Sequence, residues 1–114
     1  MTAKGRITAI WILSGLAGLA FLGAGAGKLA GAEPMVATFE KIGAGQWFRY
    51  VTGLLEVGGA IGLFIPGLGF FAAALLAMVM AGAVVTHLAV LGGSPVAALV
   101  LLVLTGTIAY LRRP

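Results

Sequence analysis

Four long apolar runs separated by short breaks constrain this chain more than any other feature. The first extends from about residue 7 to 27, the second from 48 to 65, the third from 68 to 91 and the fourth from 95 to 111. Each approaches the ~20 residues a helix needs to cross the hydrocarbon core of a bilayer. None alternates apolar with polar residues, which argues against β-barrel strands. Hydrophobic residues make up 61% of the 114 and charged residues 9%, against about 25% charged in a soluble domain. So little polar surface cannot wrap a water-soluble core, and lipid is the expected solvent. The expected fold is all-α: one transmembrane domain, residues 1–114, built as a four-helix bundle.

The breaks are specific. Pro66-Gly67 leaves a tight turn between spans two and three. Gly92-Gly93-Ser94-Pro95 ends span three and opens span four, with Ser94 as N-cap and Pro95 at the first helical position. Between spans one and two the connection is longer. Pro34 can open a helix there and Gly43 can close it, with Met35, Val36, Phe39 and Ile42 on one face and Glu33, Glu40 and Lys41 polar. That pattern predicts a short interfacial helix, an irregular loop being the alternative. Ala30-Gly31-Ala32 resembles a signal-peptide cleavage site, but the preceding apolar stretch exceeds the ~7–15 residues usual for one. Span one is therefore expected to be retained.

Charge sets the expected orientation. Lys4 and Arg6 precede span one, and Arg112 and Arg113 follow span four, so the positive-inside rule places both termini in the cytoplasm. Lys28, Lys41 and Arg49 then lie outside. Trp47, Phe48 and Tyr50 mark the outer boundary, and Trp11 and Tyr110 the inner one. The net charge of +4 has no basic face to concentrate it, which excludes nucleic acid as a partner. With no cysteine, disulfides, thiolate metal sites and thiol redox chemistry are excluded for the chain alone. One histidine and one internal glutamate are too few for a metal site. Among the 19 glycines, Gly23, Gly27 and Gly31 form a ridge at i, i+4 spacing suited to close helix packing, and Gly53, Gly59 and Ala60 offer a similar surface on span two. Span four, rich in Leu and Val, is expected to face lipid. Thr105 and Thr107 are expected to bond their own helix, and Met78 and Met80 to pack inside the bundle.

Few polar residues fall within the spans. Glu56 lies about ten residues into span two, roughly 15 Å from the outer boundary. An ionisable group there costs at least about 2.5 kcal/mol and normally faces the bundle interior. Arg49, Thr52, Gly53, Glu56, Gly59 and Ala60 share its helix face. His87, near the outer end of span three, shares a face with Ala73, Leu76, Met80, Ala83 and Val84. Lys28 closes span one on a face with Ser14, Ala17, Phe21 and Ala24. Lys28, Arg49, Thr52, Glu56, Met80 and His87 thus form a candidate ligand-binding set, with Glu56 and His87 the candidates for proton chemistry. The alternative is structural: Glu56 pairs with Lys28 or Arg49 only to neutralise buried charge. Lys28 and Arg49 themselves read as snorkelling anchors rather than catalysts.

These residues carry a resemblance. Gly25-Ala26-Gly27-Lys28-Leu29, the segment from Val36-Ala37-Thr38-Phe39 to Gly43, Gly53-Leu54-Leu55-Glu56-Val57-Gly58-Gly59-Ala60, and Met80-Ala81-Gly82-Ala83 leading to Thr86-His87-Leu88 resemble the DoxX-like family of small bacterial membrane proteins. The resemblance covers nearly the whole chain. It implies a four-helix bundle in the bacterial cytoplasmic membrane. The family takes its name from a subunit of a thiosulfate–quinone oxidoreductase, some relatives are linked to oxidative-stress complexes, and most have no assigned activity. Lys28, Glu56 and His87 carry over as the candidate site.

The leading expectation is a membrane protein whose inner pocket binds a small lipophilic molecule of quinone type, or which serves as an accessory subunit of a redox complex. No other cofactor is evident. One alternative is a membrane-embedded acid–base enzyme, an isomerase or hydrolase, with Glu56 moving the proton and His87 relaying it. Another is a small proton-coupled exporter. The expected partners are the bilayer, the ligand, and partner subunits or further copies of the chain.

Overall fold

The computed structural model covers residues 1–114 and is entirely helical. The helices are α1 (Ala3–Ala30), α2 (Glu33–Ile42), α3 (Gln46–Gly62), α4 (Gly69–Thr86) and α5 (Val96–Arg112). A π-helical turn, His87–Leu91, continues α4, and the Gly92 N–H donates to the His87 carbonyl at 2.9 Å to close it. Helix α1, with 28 residues, and α4 with its π-turn, with 23, are long and apolar enough to cross a membrane. Helices α3 and α5 have 17 residues each, about 25 Å at 1.5 Å per residue.

Helices α1, α3, α4 and α5 close into a ring of neighbours, and α2 lies against α3, the π-turn and the end of α1. Small residues dominate the centre. Ala17, Ala60, Ala72, Ala73 and Ala98 are buried with Gly18, Gly25, Gly53 and Gly59, around the four large side chains of Phe21, Leu63, Leu76 and Ile108. Where side chains are this small, dispersion between close backbones replaces the large-residue core of a soluble protein. The tightest crossing brings Gly25 of α1 against Gly53 of α3. A Cβ on Gly25 would lie 2.9 Å from the Gly53 carbonyl oxygen, and one on Gly53 would lie 3.1 Å from the Gly25 carbonyl oxygen. Backbone meets backbone there, so neither side can yield to an added methyl.

The ridge expected at Gly23, Gly27 and Gly31 is not the packing surface of α1. Gly23 has no neighbour within 4 Å, Gly27 touches only the tip of Met35, and Gly31 is the left-handed cap of the helix. The helix instead buries Ser14, Ala17, Gly18, Phe21 and Gly25, a stripe of three- and four-residue steps that leads to Lys28. On a helix that is apolar all round, glycine spacing alone does not choose the face.

Residues 33–42 form a helix rather than an irregular loop. Phe39 is buried beneath it, Met35, Val36 and Ile42 are half-buried, and Glu33, Glu40 and Lys41 are exposed. The second apolar run leaves the helix at Gly62, earlier than the expected 65, because Phe64 and Ile65 bond back three residues instead of four. The fifth helix starts one residue later than expected. Pro95 is its N-cap residue, and the Ser94 hydroxyl accepts from the Val96 N–H at 3.2 Å. Thr105 and Thr107 donate to the carbonyls of Leu101 and Val103 on their own helix, at 2.8 and 2.7 Å.

Each long helix has a C-terminal carbonyl bound by a cation from another helix. Arg49 of α3 donates to the Lys28 carbonyl of α1. Arg112 of α5 donates to the Leu63 carbonyl that ends α3, at 2.6 Å. Arg6 of α1 donates through Nε to the Leu111 carbonyl of α5, at 2.8 Å. Lys41 of α2 donates to the Leu91 carbonyl at the end of the π-turn, at 2.7 Å. The last carbonyls of a helix lack partners of their own and carry the negative end of its dipole, so a cation suits both needs.

Candidate functional site

The Gly25–Gly53 crossing sets the geometry of the site. With no side chain at position 53, the stem of Lys28 passes directly over α3; its Cβ would lie 3.1 Å from a Cβ added there. The stem runs along α3 toward Glu56, one turn further on, and Lys28 Nζ lies 2.7 Å from Glu56 Oε1. The two side chains are 12% and 2% exposed, so this is an ion pair of the interior. No other donor reaches the Glu56 carboxylate, and no acceptor besides Glu56 meets the Lys28 ammonium. A pair withdrawn from water normally gathers further hydrogen bonds to offset its desolvation.

Arg49 has a different task. It is 5% exposed and its Nε donates to Gln46 Oε1 at 2.7 Å, while another nitrogen holds the Lys28 carbonyl. Its guanidinium also lies 4.3 Å from the centre of the Tyr50 ring. Gln46 in turn donates to the Val36 carbonyl of α2 at 3.1 Å. The chain Lys28–Arg49–Gln46–Val36 therefore ties α1, α2 and α3 together behind the ion pair. Neither Lys28 nor Arg49 is the snorkelling anchor expected from its place near a span end, because each finds a buried acceptor on the neighbouring helix instead. Gln46 was not singled out in the sequence. Its i, i+3 spacing to Arg49 is the signal that marks it.

In front of the pair lies a half-open cavity of about 790 Å³. Helices α1, α2, α3, α4, the π-turn and α5 all contribute to its wall. Lys28, Thr52, Glu56, Met80 and His87 share that wall, and Arg49 is not on it. Thr52 donates its hydroxyl to the Phe48 carbonyl at 2.8 Å. His87 is half-buried, with Nδ1 3.4 Å from the Gly92 carbonyl oxygen, and no hydrogen bond joins it to Glu56. Met80 is buried, but Met78, expected to pack inside, is 71% exposed and borders the cavity. Two residues apart on one helix, only one of the two side chains can turn into the core, although both reach the cavity. Phe39 of α2 and Phe48 of α3 meet edge to face at 5.7 Å on the same wall.

Two helices able to cross a bilayer, a surface covered in exposed Leu, Ile, Val and Phe, and one buried ion pair define a small α-helical membrane protein. The chain belongs to the DoxX-like family, whose model matches residues 12–110 and so takes in Lys28, Glu56 and His87. Neither the curated proteins nor the solved structures yield a match to it.

Proposed function

We propose that this protein is a four-span bundle of the bacterial cytoplasmic membrane that binds a small lipophilic molecule, of quinone type, in the cavity beside Lys28 and Glu56. In this reading α1, α3, α4 with its π-turn, and α5 each cross the bilayer, and α2 lies at the outer interface. The 17 residues of α3 and α5 sit at the lower limit for a span. Lys4, Arg6, Arg112 and Arg113 gather at one end of the bundle, which orients both termini toward the cytoplasm.

One observation carries the assignment: a buried, under-coordinated ion pair lies on the wall of a cavity lined mostly by apolar side chains. Apolar walls with a few convergent polar groups are the usual form of a small-molecule site. The walls would hold a hydrocarbon body, and the pair would fix a compact polar head. The same site serves an accessory subunit that presents the molecule to a redox partner.

The test is organic extraction of the purified protein followed by mass spectrometry. A lipophilic molecule is expected to co-purify with the unaltered chain and to fall at least tenfold in Glu56→Gln. Equal recovery from both proteins would remove the site from this cavity.

A further inference from the structure

We infer that the head group received by the Lys28–Glu56 pair is a neutral hydroxyl carried on an aromatic ring, as in a phenol or in the reduced form of a quinone-type molecule, the oxidised carbonyl form being the poorer fit. This inference rests on the proposed binding of a lipophilic molecule in the cavity and specifies its polar end.

The pair is neutral as a unit. A charged head group seated on the pair would add an uncompensated charge to a poorly solvated site, at high cost, since the other cation of the wall, Lys41, is engaged with the Leu91 carbonyl. Each partner also has unused capacity. An ammonium carries three donors and a carboxylate about four acceptor positions, yet the only polar contact either group makes is the single approach of Nζ to Oε1 within the pair. A group that completes both partners must accept a hydrogen bond from Lys28 and donate one to Glu56. A carbonyl or an ether oxygen accepts only. A hydroxyl does both with one atom and stays neutral, so it can bridge the pair.

The wall selects the body that carries the hydroxyl. Three of the chain's four methionines, Met35, Met78 and Met80, border the cavity together with Phe39 and Phe48. Thioether sulfur makes favourable contacts with ring edges, and methionine adapts its shape to flat partners. The edge-to-face arrangement of the two phenylalanines extends naturally to a third ring.

The test uses the full-length protein in detergent with ¹³C-methyl methionine labelling, and two probes that differ only at the head group. These are 4-pentylphenol and 4-pentylanisole, in which a methyl ether replaces the hydroxyl. NMR follows the methyls of Met35, Met78 and Met80, with Met1, which is 89% exposed, as the control. The phenol is expected to shift the three cavity methyls saturably without moving Met1, and to bind about tenfold tighter than the anisole, as a hydrogen bond to a charged group implies. That preference should collapse in Glu56→Gln. Equal affinities for the two probes would overturn the hydroxyl assignment and leave the lipophile site standing. No saturable shift with either probe would overturn both. The decisive comparison is made on the unaltered chain, so it does not depend on the variant folding.

Discussion

Glu56 draws together the local arguments, because its carboxylate has one partner where several could be used. Removing its charge leaves the Lys28 ammonium buried and alone. Glu56→Gln is therefore expected to destabilise the bundle by about 3–5 kcal/mol, the usual cost of breaking a buried pair from one side. Replacing both partners, as in Lys28→Met with Glu56→Met, should recover most of that loss. Denaturant titration of the three proteins in detergent checks this, and an unperturbed Glu56→Gln would show that the pair holds no charge against oil. The inward direction of Glu56 was legible in the sequence, since Gly53, Gly59 and Ala60 share its face and all are buried. Its partner was not. Arg49 is closer in sequence, but its guanidinium is taken by the end of α1, and only the empty space over Gly53 lets Lys28 arrive instead. Which of two cations wins is decided by such clearances, and these are properties of paired helices rather than of one segment.

Helix faces follow the same logic one level up. The crossing of α1 and α3 rests on Gly25 and Gly53, and the expected ridge of Gly23, Gly27 and Gly31 takes no part in it. Gly25→Ala is thus expected to cost about 1–3 kcal/mol, the range for overpacking a close contact, and to separate Lys28 from Glu56. Gly23→Ala should leave stability within about 0.5 kcal/mol of the unaltered protein. Thermal unfolding of the two variants side by side separates the faces, and a larger loss at Gly23 would reverse the assignment. Helix existence was readable from the four apolar runs and from Pro34 and Gly43, which bracket α2 as expected. The face of α1 and the π-turn after Thr86 were not. A π-turn adds one residue to a helical turn without changing composition, so nothing in His87-Leu88-Ala89-Val90-Leu91 announces it. The π-turn that ends the third apolar run lies against α2, where Lys41 donates to the Leu91 carbonyl.

For the whole molecule, the sharpest prediction concerns orientation. The chain has no cysteine, so single replacements report accessibility without background. In intact cells an impermeant maleimide should label Ala44→Cys, in the turn between α2 and α3, and should label Pro114→Cys only after lysis. The opposite pattern would invert the protein, and labelling of both in intact cells would require an odd number of crossings. The basic residues read as orientation signals have a second role that composition does not reveal. Arg6 and Arg112 each fasten the end of a helix other than their own, as Arg49 and Lys41 do at the opposite pole. A cask is held by hoops at its rims, and its staves can bow apart at the belly without coming loose. With both poles of this bundle cinched in that way, an opening between the helices need not weaken the assembly.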